Sequence, residues 1–168
     1  MSVVVTDAGP LIHLNEIGCL SLLRIFETVH VPDAVWFESV RAGRVLDTAI
    51  LSLGRIRRHA LPLGQIEQFV SQNNLMHLQA GEKESLCLCR EIGVLILLTD
   101  DLAVREAAKR LGLKPVGSLG VVVRAYHMGH CSLSKAERYL TDLYDVSSLF
   151  VARAIVELAI EQLHERLQ

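Results

Sequence analysis

The sequence predicts an α/β domain built on a mostly parallel sheet, and three observations carry that prediction. Val3-Val4-Val5 and Val94-Leu95-Ile96-Leu97-Leu98 are continuous apolar runs rather than alternating ones, as expected of strands buried on both faces. Each run passes within a few residues into a helical pattern. The same strand-then-helix order recurs through the first 120 residues or so, the signature of parallel β-α units.

The elements follow in order. Val3-Val4-Val5 stops at Thr6-Asp7, and Ala8-Gly9-Pro10 leads into a helix marked by Leu11 and Leu14. Thr28 to Val31 is a second short strand, after which Pro32 starts a helix through about Ser39, its fixed φ suiting a first turn. Arg55 to Leu61 reads as a third strand of poor alternation, and Pro62 opens a helix that fades near Asn73-Asn74. Gly81 precedes a helix to about Ile92, which Gly93 closes. The strand Val94–Leu98 ends at Thr99-Asp100-Asp101, and a helix follows to Leu111. Lys114-Pro115-Val116-Gly117 reads as a short edge strand, since proline cannot donate to a ladder. Helices over Ser118–His127, Leu133–Leu143 and Ser148–Leu163 complete the chain.

Composition bounds the function more weakly. The 168 residues suit one domain with a filled core, at 51% apolar and 21% charged. A net charge of −2 leaves no global footprint for nucleic acid, so such binding needs a local patch or a bound cation. Cys19, Cys87, Cys89 and Cys131 form no C-x2-C pair and read as buried thiols of a reducing compartment. The opening MSVVVTDAGP lacks a basic n-region, and no run reaches the ~18 to 20 apolar residues of a membrane span, so a cytoplasmic protein without membrane contact is expected.

The acids carry the chemistry. In an open parallel sheet ligands bind beyond the carboxyl ends of the strands. Both of the strongest strands end in acid: Asp7 after the first, Asp100 and Asp101 after the fourth. Single aspartates there would be ordinary helix caps, but three at two equivalent strand ends point to a site. Glu38 lies among Trp36, Phe37 and Val40, so burial of that turn would demand a partner for it. Glu82 opens the helix of GEKESLCLC, where it also favours the helix dipole, and Glu84 competes for the same role. Carboxylates without an accompanying His or Cys pair make a hard, oxygen-rich donor set, suited to Mg²⁺ or Mn²⁺ rather than Zn²⁺. Such sites activate water and stabilise a leaving oxygen in phosphodiester cleavage.

TDAGPLIHL, VPDAVWFE, the GE-x-E-x-L-x-L helix start and LLTDDLAVREAAKRLGLKPVGSLGVV, in this order, resemble a PIN domain over about residues 2 to 130. The match is closest to the bacterial and archaeal branch related to VapC-type toxins. The resemblance implies a three-layer α/β/α sandwich (residues 1–130); the chain departs from the family pattern after residue 130, where a C-terminal helical extension (131–168) is expected to pack on the same domain or on a partner chain. It implies a divalent-metal-dependent ribonuclease with RNA as substrate, and admits a toxin role with a small antitoxin partner. Asp7, Glu38, Glu82 and Asp101 match the successive acids of the family, Asp100 matches the first acid of its DD pair, and Thr99 matches a hydroxyl residue beside the metal site. Asp7, Glu82, Asp100 and Asp101 are the expected metal ligands, with Glu82 against Glu84 and Asp100 against Asp101 left open. The alternative is a PIN-fold module that binds nucleic acid or protein without turnover.

Two surface features remain. Arg55, Arg57 and Arg58 read either as a phosphate-tracking RNA contact or as charge protecting an edge strand. Ala152, Val156, Ala159 and Leu163, widened by Ile155 and Ile160, make an amphipathic terminal helix whose apolar face is expected to join a homodimer, as PIN relatives commonly do.

Overall fold

The computed structural model describes residues 2–165. Among these, β1 (Val3–Thr6), β2 (Thr28–Pro32), β3 (Ile56–His59), β4 (Ile96–Leu98) and β5 (Lys114–Val116) form one sheet in the order β3-β2-β1-β4-β5. Every pairing is parallel. The weakest strand patterns are the edges, where only one side of the ladder is paired and Pro115 is tolerated. Continuous apolar runs fill the centre for the opposite reason: both faces are covered. Val4 and Leu98 feed one core, Val5 and Leu97 the other.

The helices are α1 (Ala8–Glu16), α2 (Asp33–Trp36), α3 (Asp47–Leu51), α4 (Leu63–Gln72), α5 (Ala80–Ile92), α6 (Leu102–Arg110), α7 (Ser118–His127), α8 (Leu133–Asp145) and α9 (Arg153–Leu163). A 3-10 helix (Leu20–Ile25) follows α1, and α2 runs on into a π-helical turn (Phe37–Arg41). α4, α5 and α6 supply one core, while α1, the 3-10 helix, α7, α8 and α9 supply the larger one. The expected three-layer α/β/α sandwich is therefore the fold. No helix among the described residues is long and apolar enough to cross a membrane. Cys19, Cys87 and Cys89 are buried free thiols, and Cys131 is half-buried.

Three expectations are corrected. The helix expected to follow Gly81 begins one residue earlier, because Gln79 caps it in a reciprocal box with Glu82, which places Gly81 inside its first turn. The terminal helix does not begin at Ser148 but at Arg153. The Ser148 amide and hydroxyl both donate to Glu16 Oε1, at 3.0 and 2.8 Å, and the Leu149 amide donates to Ser147 Oγ at 3.2 Å, so residues 148–152 are pinned outside a helix. Lastly, the apolar stripe of α9 needs no second chain to cover it: Val156, Ala159 and Leu163 are buried within the larger core of the same chain, alongside Leu140 and Leu143. Ile155 and Ala152 stay exposed. Of the expected extension 131–168, residues 166–168 lie outside the described residues.

Candidate active site

The strand order reverses between β1 and β4, since the chain leaves β1 toward β2 and β3 and returns on the other side as β4 and β5. Helices on the two sides diverge there and open a crevice at the carboxyl ends of the strands. The register pairs Thr6 with Leu98, and the Asp7 amide donates to the Leu98 carbonyl at 2.8 Å, so the two acid-bearing strand ends lie side by side. A cavity of about 250 Å³ sits at this point, lined by Asp7, Glu38, Glu82, Asp100 and Asp101 together with His13 and the segment Ser148–Phe150. Of the acids singled out in the sequence, all but Glu84 line this one cavity.

Each carboxylate is held by a different local device. Asp7 is 5% exposed, caps α1 through the Ala8 amide (2.9 Å), and accepts a hydrogen bond from Thr99 Oγ1 (3.1 Å). Burial pushes its carboxyl up to about 7; these two hydrogen bonds oppose the rise, and the nearby Glu82 and Glu38 add to it. Glu82 is turned back to the Gln79 amide at 3.0 Å, and its carboxyl is also raised, by burial first and then by Asp101 and Glu38. Glu38 Oε1 accepts from the Gly81 amide at 3.1 Å. Its expected burial does not occur: the π-helical turn leaves Glu38 exposed at the cavity, between buried Trp36 and buried Ser39.

The two open alternatives acquire geometry. Glu84 Oε1 accepts from the Ala34 amide at 3.3 Å at the start of α2, and Glu84 does not line the cavity, whereas Glu82 does. Asp100 and Asp101 both line it, but differently. Asp101 caps α6 by accepting from the Val104 amide at 3.0 Å. Asp100 accepts three bonds: His13 Nδ1 at 2.7 Å, the Ser118 amide at 2.7 Å and Ser118 Oγ at 2.5 Å. The N-terminus of α7 is thus already satisfied by a carboxylate.

His13 and Ser118 went unmarked in the sequence. A signal existed for His13: it falls four residues after Gly9 on α1, so both share the face that looks into the cavity, whereas Leu11, Ile12 and Leu14 turn to the core. Ser118 and the Ser148–Phe150 segment had none, because they reach the site only through the crossover to β5 and the packing of the C-terminal helices. The basic cluster is elsewhere. Arg58 stacks over the Trp36 ring (4.4 Å to the centroid) and reaches Asp33 at 3.4 Å, Arg55 donates to the Phe26 carbonyl at 3.2 Å, and Arg57 is exposed on edge strand β3. None of the three lines the cavity.

A family model, DUF3368, described as a PIN domain, matches residues 3–165. The chain belongs to the PIN-domain family. No curated protein gives a significant match. The PIN fold is a nuclease fold, so membership makes this chain a hydrolase of nucleic acid at the coarse level, and the match runs through α9 rather than stopping near residue 130.

The donor set can be weighed against a metal on chemistry and on spacing. The chemistry fits: five carboxylates surround one cavity, and the most buried, Asp7, is pushed toward its neutral form by burial and then by the neighbouring Glu82 and Glu38. The spacing is looser, since among the described residues no three His, Cys, Asp or Glu side chains stand close enough to form a ready ligand group. Asp7 and Asp100 are fixed by buried or half-buried partners, while Glu38 and Glu82 are long side chains held only by one backbone amide each.

Proposed function

We propose that this PIN domain is an endoribonuclease that cleaves RNA phosphodiester bonds with Mg²⁺ or Mn²⁺. The observation that carries the reading is the delivery of Asp7 and Asp100/Asp101 by adjacent parallel strands to a cavity that Glu38 and Glu82 also line. A divalent cation bound there would supply an activated water and charge stabilisation at the leaving oxygen. Asp7 and Asp100 would be its rigid ligands, one held by Thr99 and the start of α1, the other by His13 and Ser118. Glu82 and Asp101 would complete the set, and Glu38 on the π-helical turn would face the attacking water. Thr99 acts through Asp7, which it holds in place. Exposed Arg57 stays in the reading as a phosphate contact, whereas Arg55 and Arg58 are engaged in fixing the edge of the sheet.

The test is cleavage of unstructured RNA by purified protein in Mn²⁺ and in Mg²⁺, with EDTA and Asp7→Asn as controls. Cleavage lost in both controls is the expected result. Undiminished cleavage in either control overturns the reading, and RNA binding without cleavage under every metal establishes the non-catalytic module instead. The toxin reading adds a small antitoxin and a homodimer; co-expression with the adjacent reading frame, with growth and light scattering as readouts, decides those two points.

A further inference from the structure

Among the described residues that line the acid cavity, His13 is the only imidazole, and no Lys or Arg joins it. Charged carboxylates only accept hydrogen bonds. The one lining hydroxyl, that of Ser148, already donates to Glu16 Oε1 at 2.8 Å. Side chains that offer lone pairs without free donors are complementary to a cation, and His13 adds a nitrogen to what is otherwise a set of oxygens.

The ring is held in a fixed sense. Asp100 Oδ1 accepts from the Ser118 amide at 2.7 Å, and its Oδ2 accepts from Ser118 Oγ at 2.5 Å, so the carboxylate is locked to the start of α7. The same Oδ2 meets His13 Nδ1 at 2.7 Å. Because a carboxylate can only accept, Nδ1 carries the proton, and in the neutral ring Nε2 keeps its lone pair. Nε2 has no hydrogen-bond partner among the described residues, whereas every buried side-chain nitrogen or oxygen among them has one, so Nε2 is open. Helix α1 sets its direction: Leu11, Ile12 and Leu14 turn to the core, and His13, 14% exposed in its side chain, lines the cavity. A carboxylate behind one ring nitrogen fixes the tautomer and raises the basicity of the other, which is how histidine is presented to a metal.

We propose that His13 Nε2 joins the carboxylates as a direct ligand of the divalent cation, its ring held by Asp100, so that the site takes Mn²⁺ in preference to Mg²⁺. Imidazole suits transition ions, whereas Mg²⁺ favours oxygen donors alone. The proposal rests on the metal-dependent reading of this cavity, but its test does not need turnover.

The experiment is pulsed electron paramagnetic resonance of the full chain loaded with Mn²⁺, with isotopically labelled histidine against unlabelled protein, beside calorimetry of Mn²⁺ and Mg²⁺. The electron-spin echo should carry the modulation of a directly bonded imidazole nitrogen, shifted by the label. His13→Asn should lose that modulation while still binding Mn²⁺, and its affinity ratio of Mn²⁺ over Mg²⁺ should fall about tenfold. Mn²⁺ bound to wild type without nitrogen modulation overturns the proposal and leaves the nuclease reading, with an all-oxygen metal site, standing. Modulation that survives in His13→Asn also overturns it, because another nitrogen is then the ligand. Absence of Mn²⁺ binding to wild type overturns it together with the metal-dependent reading. Where His13→Asn does not fold, the label shift in wild type decides, since no other histidine among the described residues lines the cavity.

Discussion

The Gly81 amide donates to Glu38 Oε1 at 3.1 Å, joining the first turn of α5 to the π-helical turn across 43 residues of sequence. The approach is close because residue 81 has no side chain: a Cβ there would come within 2.6 Å of Glu38 Oε1 and 3.0 Å of its carboxyl carbon. The obstructed atom is the far end of a flexible side chain, so Glu38 can yield without disturbing the backbone. Gly81→Ala should therefore melt within about 1 kcal/mol of wild type, helped by alanine's better helix propensity, while nuclease activity falls at least tenfold. Wild-type activity in a folded Gly81→Ala protein would show that the position of Glu38 does not matter.

Asp7 gives a pH dependence with a definite sign. Its folded-state carboxyl titrates near 7 against an ordinary value of 3.8, so between those values the folded chain holds a proton that the unfolded chain releases. Stability from this group is complete below about pH 4 and is lost as pH rises through about 7, a swing on the order of 4 kcal/mol. In EDTA, Asp7→Asn should erase that part of the decline, and the variant's advantage over wild type in melting temperature should be larger at pH 8 than at pH 5. Parallel melting curves for the two proteins across that range would contradict the buried, uncompensated acid.

Asp101 separates capping from metal binding. It caps α6 through the Val104 amide, a role asparagine fills about as well, whereas alanine costs typically ~1 kcal/mol. Asp101→Asn should keep the metal-free melting temperature and lose much of the stabilisation by Mn²⁺ that linkage requires. Asp101→Ala should lose both. If Asp101→Asn gains as much from Mn²⁺ as wild type does, Asp101 is a cap alone.

Asp100 is held by His13 and Ser118, and such supporting bonds typically matter by roughly 10- to 100-fold in metal affinity. Ser118→Ala and His13→Ala should each weaken Mn²⁺ binding by calorimetry by about that factor, with His13→Asn recovering part of it. Unchanged affinity in both alanine variants would leave Asp100 without a ligand role.

The C-terminal helix makes the last test. Leu163 is 2% exposed within the same core as Leu140 and Leu143, so Leu163→Ala should cost about 2–5 kcal/mol. Truncation at Ser147 should abolish cooperative unfolding instead of releasing a folded monomer. A sharp melt of the truncated chain near the wild-type temperature would show that residues 148–168 are dispensable to the fold.

The sequence by itself determined the parallel sheet and the acids at its strand ends, because these are local: an unbroken apolar run declares burial on both faces, and whatever follows it stands at the carboxyl edge. It also marked Glu38 and Glu82, though not which donors hold them. Tertiary structure alone decided that Glu84 turns to α2, that Asp100 is gripped by His13 and Ser118, and that Ser148–Phe150 leaves the helical path for the cavity mouth. It decided, too, that α9 closes on its own chain. These outcomes depend on hydrogen bonds and apolar contacts between residues far apart in the chain, such as Glu16 with Ser148, and local periodicity carries no record of which distant partner will satisfy a donor or cover a face.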